Sequence, residues 1–116
     1  MTPTLTDPAT LTSRAAADLA TAFTNDFHSF HITNRNDHSV TIEHENRLTS
    51  ITLTEYDLYS FDPTYGDKLL DQGWEWTVSH RRYLDSPQTI LTEDSCSIDD
   101  PDHLLGALRQ IGELYS

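Results

Sequence analysis

Of three Asp-Pro steps, the first and last, Asp7 followed by Pro8 and Asp100 followed by Pro101, bracket a long stretch in which apolar and polar residues alternate, and the middle one, Asp62 followed by Pro63, ends a strand within it. Aspartate before proline is a helix-start signal, because the carboxylate caps free backbone N–H groups and the proline ring suits the first helical turn. The alternation between the outer two steps has the period of two that a half-buried strand requires. Helix signals at both ends with strand signals between them constrain the chain to an α+β fold. The expected order is an N-terminal helix, an antiparallel meander sheet of four or five strands and a C-terminal helix, with the helices on one face of the sheet.

The elements follow from spacing. Residues 1–6 read as a flexible tail and residues 7–116 as a single α+β domain, since 116 residues is the length of one domain. Leu11, Ala15, Leu19, Ala22 and Phe23 recur at three- and four-residue intervals, which predicts one helix running to about Asn25. Strand pairs follow at Phe30 and Ile32, Val40 and Ile42, and Ile51 and Leu53, with turns over residues 34–37 and 44–47. Parity then conflicts: Glu55 and Asp57 fall where apolar residues would continue, while Tyr56 and Leu58 occupy the other face. A bulge or bend within residues 54–59, or partial cover of both faces there, would resolve this. Residues 65–73 read as a connection holding one helical turn at 67–71. Trp74, Trp76 and Val78 mark a clear strand, which Pro87 ends, and Ile90 and Leu91 seed a weaker one toward Cys96. Leu104, Leu105, Leu108, Ile111 and Leu114 form the strongest amphipathic pattern.

Charge narrows the function classes. Nineteen Asp plus Glu against seven Lys plus Arg give a net charge of −12. Such a chain repels phosphate, which argues against direct nucleic-acid binding and against anionic membrane surfaces. No apolar run approaches the roughly 18 residues of a membrane span, and the first residues lack the basic and apolar regions of a signal peptide, so the expected location is cytoplasmic. The acidity fits solvent adaptation in a salt-adapted organism, plain solubility, or a negative face that docks on a basic partner. Acids on one face favour docking, and acids all around favour adaptation.

Catalytic signals are sparse. Cys96 is the only cysteine, so no internal disulfide forms; its acidic neighbours Glu93, Asp94, Asp99 and Asp100 oppose thiolate formation, and a small buried role suits it. His28, His31 and His44 are the candidates for a metal site or a small enzyme, but on strands their rings diverge. No Gly-rich phosphate loop or serine elbow occurs, and no cofactor is expected. Trp74 and Trp76 share a strand face and read as core. Arg81 and Arg82 form a rare basic island, one of which would meet Glu43, Glu45 or Glu55.

The remaining signal is acidic and aromatic. Glu55 and Asp57 share one strand parity, at a spacing of about 6.5–7 Å that matches the scale of the phosphate repeat in nucleic acid. No Lys or Arg falls between Arg82 and Arg109, whereas Glu93, Asp94, Asp99 and Asp100 do. Tyr59 and Tyr65 are candidate anchors, because tyrosine is enriched at interface hot spots. Those eight residues form the expected partner-binding set, with a homodimer through Tyr56 or Leu58 as a further option. In type, the chain resembles short, acidic, single-domain inhibitors: anti-CRISPR and anti-restriction proteins, DNA mimics and nuclease immunity proteins. That likeness implies a non-catalytic protein whose partner presents a basic, nucleic-acid-binding surface.

Overall fold

The computed structural model describes residues 3–115. The elements are α1 (Pro8–Thr12), α2 (Ala16–Asp26), β1 (Phe30–Arg35), β2 (Ser39–His44), β3 (Thr49–Ser60), β4 (Lys68–His80), β5 (Thr89–Ser97) and α3 (Pro101–Tyr115). The five strands form one antiparallel meander in the order β1-β2-β3-β4-β5. The fold is therefore α+β, with the first and last Asp-Pro steps opening helices at Pro8 and Pro101 and the middle one, Asp62-Pro63, lying between β3 and β4.

One face of the sheet is apolar, and the helices cover it. Phe30, Val40, Ile42, Ile51, Leu53, Trp74, Trp76 and Val78 are buried from the strands, and Leu19, Phe23, Leu104 and Leu108 from the helices. Full burial of one such side chain is worth about 1.5–3 kcal/mol. Both tryptophans lie in this core as expected, and the Trp74 indole N–H donates to the Arg14 carbonyl at 2.9 Å. The Phe27 and Phe30 rings each pack on Phe23, with centroids 5.1 Å from its own. The opposite face carries Thr52, Glu75 and Glu93, all exposed.

The structure corrects the sequence reading at four places. The N-terminal helix is two helices, broken at residues 13–15. Ala15 is extended there and offers no cap, and the Ala16 N–H instead donates to Glu55 Oε1 at 2.6 Å. A carboxylate from β3 thus caps α2, where the helix dipole favours negative charge. The side chain of Leu11, read as part of the stripe, lies outside the described residues. The segment read as a flexible tail is packed: Leu5 is 0% exposed, its N–H donates to Asp26 at 3.0 Å, and Asn25 donates to the Pro3 carbonyl at 2.8 Å. Met1 and Thr2 lie outside the described residues. The expected connection over residues 65–73 contains no helical turn, because β4 already begins at Lys68. Finally, the arginine island does not meet the expected acids. Arg81 donates to the Arg47 carbonyl, Arg82 lies 5.6 Å from the Tyr83 ring, and Glu43 faces Arg47 at 3.9 Å.

A bulge is present, but it does not resolve the parity conflict: Glu55 and Asp57 keep the parity of Leu53 and are accommodated by Arg14 instead, and the register shifts only after Leu58. Leu58 pairs with Asp71 and Tyr59 with Leu69, which leaves Leu70 as the extra residue on β4.

Candidate protein-binding arm

The two longest strands outrun their neighbours. β3 pairs with β4 from Thr49 to Ser60, but β2 accompanies β3 only as far as Thr54, and β5 accompanies β4 only from Gly73. The distal half of the β3–β4 hairpin therefore projects as a two-stranded arm. A core strand's alternating apolar residues would be buried by helices, whereas here nothing covers them. Leu58, Tyr59, Phe61, Tyr65, Leu69 and Leu70 are all exposed, Phe61 at 81% and Tyr65 at 89%.

The arm is held at its tip and at its root. At the tip, Asp62 Oδ1 accepts from the Thr64 and Tyr65 N–H groups at 2.8 and 3.2 Å, and Gly66, at φ 84°, donates its N–H to the Asp62 carbonyl at 2.8 Å. This fixes the turn that presents Phe61 and Tyr65. At the root, the Tyr56 hydroxyl donates to Asp71 at 3.0 Å and the Ser97 hydroxyl donates to the same carboxylate at 2.8 Å. Those two bonds hold the Asp71 carboxyl below its ordinary range, the Ser97 bond contributing most, while burial and the Asp71 charge raise the Tyr56 phenol. Nearby, Arg14 donates to the Tyr56 carbonyl at 2.7 Å, pairs with Asp57 and reaches Glu55 at 3.8 Å.

The eight expected partner-binding residues are not brought to one surface. Tyr59 and Tyr65 lie on the arm. Glu55 is only 12% exposed and is engaged by Arg14, His38 and the α2 N-terminus, while Asp57 is tied to Arg14. Their shared parity is as read, but neither presents a free carboxylate in a phosphate-like row. Glu93 projects from the open sheet face, Asp94 faces α3 and bonds His103 at 2.9 Å, and Asp99 and Asp100 are exposed between β5 and α3. Other exposed acids sit on α2 (Asp18, Asp26), on turns (Asp37, Glu45, Asp85) and on α3 (Asp102, Glu113). The sequence reading missed Phe61, Leu69 and Leu70. Their signal was the apolar pair beside Lys68, in the stretch read as a connection.

The other candidate chemistry is structural in character. Cys96 is buried, and its thiol is pushed up to about 11, by burial first and by Asp100 and Asp94 next. His44 accepts the Asn46 N–H at 3.1 Å and packs edge-on against Phe30. His28 bonds the Asn25 carbonyl at 2.8 Å, and His31 is exposed on β1. Among the described residues, no three His, Cys, Asp or Glu side chains gather as metal ligands, and no helix is long and apolar enough to cross a membrane. Comparisons with protein-family models, with curated proteins and with solved structures return no match to this chain.

Proposed function

We propose that the chain is a non-catalytic binding protein, of inhibitor type, that inserts its arm into a cleft on a partner protein with a basic, nucleic-acid-binding surface. The observation that supports this reading is the arm itself: six exposed apolar side chains on a braced hairpin that contribute nothing to the core. Large exposed apolar patches mark interaction sites, and a preformed aromatic projection loses little entropy on docking. The partner's charge follows from the arm's own. Residues 57–71 hold four aspartates against Lys68 alone. The net charge of −12 adds long-range steering toward a basic surface. The cytoplasm, where such partners act, is the location this reading expects.

The test is binding to a panel of purified nucleases and other nucleic-acid-binding proteins, with a DNA oligonucleotide as competitor. A bound partner is expected to be released by DNA and by rising salt. The Phe61→Ala, Tyr65→Ala double variant is expected to bind at least about 100-fold more weakly, a loss of about 2.7 kcal/mol or more for a pair of hot-spot aromatics. Unchanged binding by that variant, with its fold intact by circular dichroism, removes the arm from the interface.

A second reading is favoured by one specific observation, the spread of exposed acids over α2, the turns, β5 and α3. That layout is the one expected of a salt-adapted surface. The acidity would then be a property of the whole surface, and the arm alone would mark the site.

A further inference from the structure

Between α3 and the β4–β5 edge lies a groove of about 500 Å³ that the arm does not touch. Its floor is Trp76, and its rim carries Asp94, Asp102, His103 and Leu114, with no Lys or Arg among the lining residues. Trp76 is only 2% exposed, and its ring lies 5.7 Å from that of His103. Its indole N–H has no acceptor among the described residues, yet it is not sealed from solvent, in contrast to that of Trp74, which is bonded to Arg14. A donor in a nearly buried side chain that is left to water alone is available to an incoming acceptor, which can take the water's place. Asp102 likewise has no partner among the described residues, while Asp94 holds the His103 Nε2 at 2.9 Å and the Ser95 N–H at 2.8 Å.

We infer that this groove binds an arginine residue within a peptide segment, its guanidinium on Asp94 and Asp102 and a neighbouring peptide carbonyl on the Trp76 indole N–H. A planar guanidinium stacks on aromatic rings and forks onto carboxylates, which an ammonium cannot do as well. The apolar stem of arginine suits Leu114 and Ala107 at the rim. The inference shares with the proposed function only the basic character of the partner, and it uses different residues, so either can fail alone.

The test is an NMR titration of the full chain with the blocked peptide acetyl-Ala-Arg-Ala-amide, its Lys counterpart and methylguanidinium. The arginine peptide is expected to shift the Trp76 indole and His103 signals and leave the Phe61 and Tyr65 signals unmoved. It should bind about five-fold or more tightly than the lysine peptide. Asp102→Asn is expected to weaken it about ten-fold, as loss of one charge-assisted contact does. Gly106 lines the groove, and a side chain built there meets nothing within 4 Å. Gly106→Leu is therefore expected to fill the groove and abolish the shifts, with the fold kept and the helix favoured. Methylguanidinium binding as tightly as the peptide overturns the peptide source and assigns the groove to small guanidinium compounds. No shift up to about 10 mM, equal binding of the lysine peptide, or shifts that survive Gly106→Leu overturn the inference.

Discussion

Arg14 does more for this fold than its sequence position suggests. It sits in the break between α1 and α2, where its side chain holds Asp57, Glu55 and the Tyr56 carbonyl and its own carbonyl takes the Trp74 indole N–H. Arg14→Ala would leave Glu55, 12% exposed, with only His38 and one backbone donor. A partly buried carboxylate stripped of its cation costs about 2–4 kcal/mol. The expected outcome is a loss of that size in urea unfolding, together with a looser arm root. Nothing local announces this role, because every partner of the side chain is more than forty residues away. Cys96 is the contrasting case, since its acidic neighbours were visible in the sequence. Its thiol is pushed up from 9.0 to about 11. The unfolded chain releases this proton first, so the thiol's contribution to stability is complete below about pH 9 and is lost between about pH 9 and 11. A two-unit rise lowers the thiolate fraction about 100-fold at pH 8, because each unit is a factor of ten. Reaction with a disulfide reagent at pH 8 is therefore expected to be at least about 100-fold slower in the native protein than in urea.

At the level of elements, legibility followed the range of the forces. The amphipathic stripe of α3 and the alternation of Trp74, Trp76 and Val78 are local patterns, and both elements form, although β4 runs from Lys68 to His80 rather than from Trp74 to Pro87 and Leu114 of the α3 stripe is exposed. The break between α1 and α2 depends on Glu55, 39 residues from the Ala16 N–H that it caps, so a helical stripe running through residues 13–15 could not reveal it. The arm was hidden for another reason. Local pattern does not show whether a strand has neighbours: β2 spans six residues against twelve in β3, and β5 accompanies β4 only from Gly73, which leaves the distal hairpin uncovered. The crossing of β4 and β5 at the arm root depends on Gly73. A Cβ there would lie 2.0 Å from the Cys96 carbonyl oxygen, a backbone atom that cannot swing aside. Gly73→Ala is expected to cost about 1–3 kcal/mol through overpacking, measured by thermal unfolding, and to disturb the Tyr56, Asp71 and Ser97 bonds before the distant core.

For the whole molecule, shape and charge pull apart. The chain is flat and elongated, at 52 × 37 × 21 Å, and carries its acids on nearly every element. Self-repulsion at a net charge of −12 is screened as the Debye length shrinks from about 10 Å at 0.1 M salt to about 3 Å at 1 M. With 19 apolar residues closed into one core, the protein is expected to be folded in dilute buffer and to gain several degrees in melting temperature toward molar salt. Unfolding in dilute buffer would instead identify the acidity as salt adaptation and leave the arm reading without its charge argument. The projecting hairpin has one more consequence. Residues that stabilise nothing are free to change, so selection can rewrite Leu58, Tyr59, Phe61 and Tyr65 with little effect on folding. The tip can therefore be exchanged while Arg14 and Asp71 keep the same grip on the root.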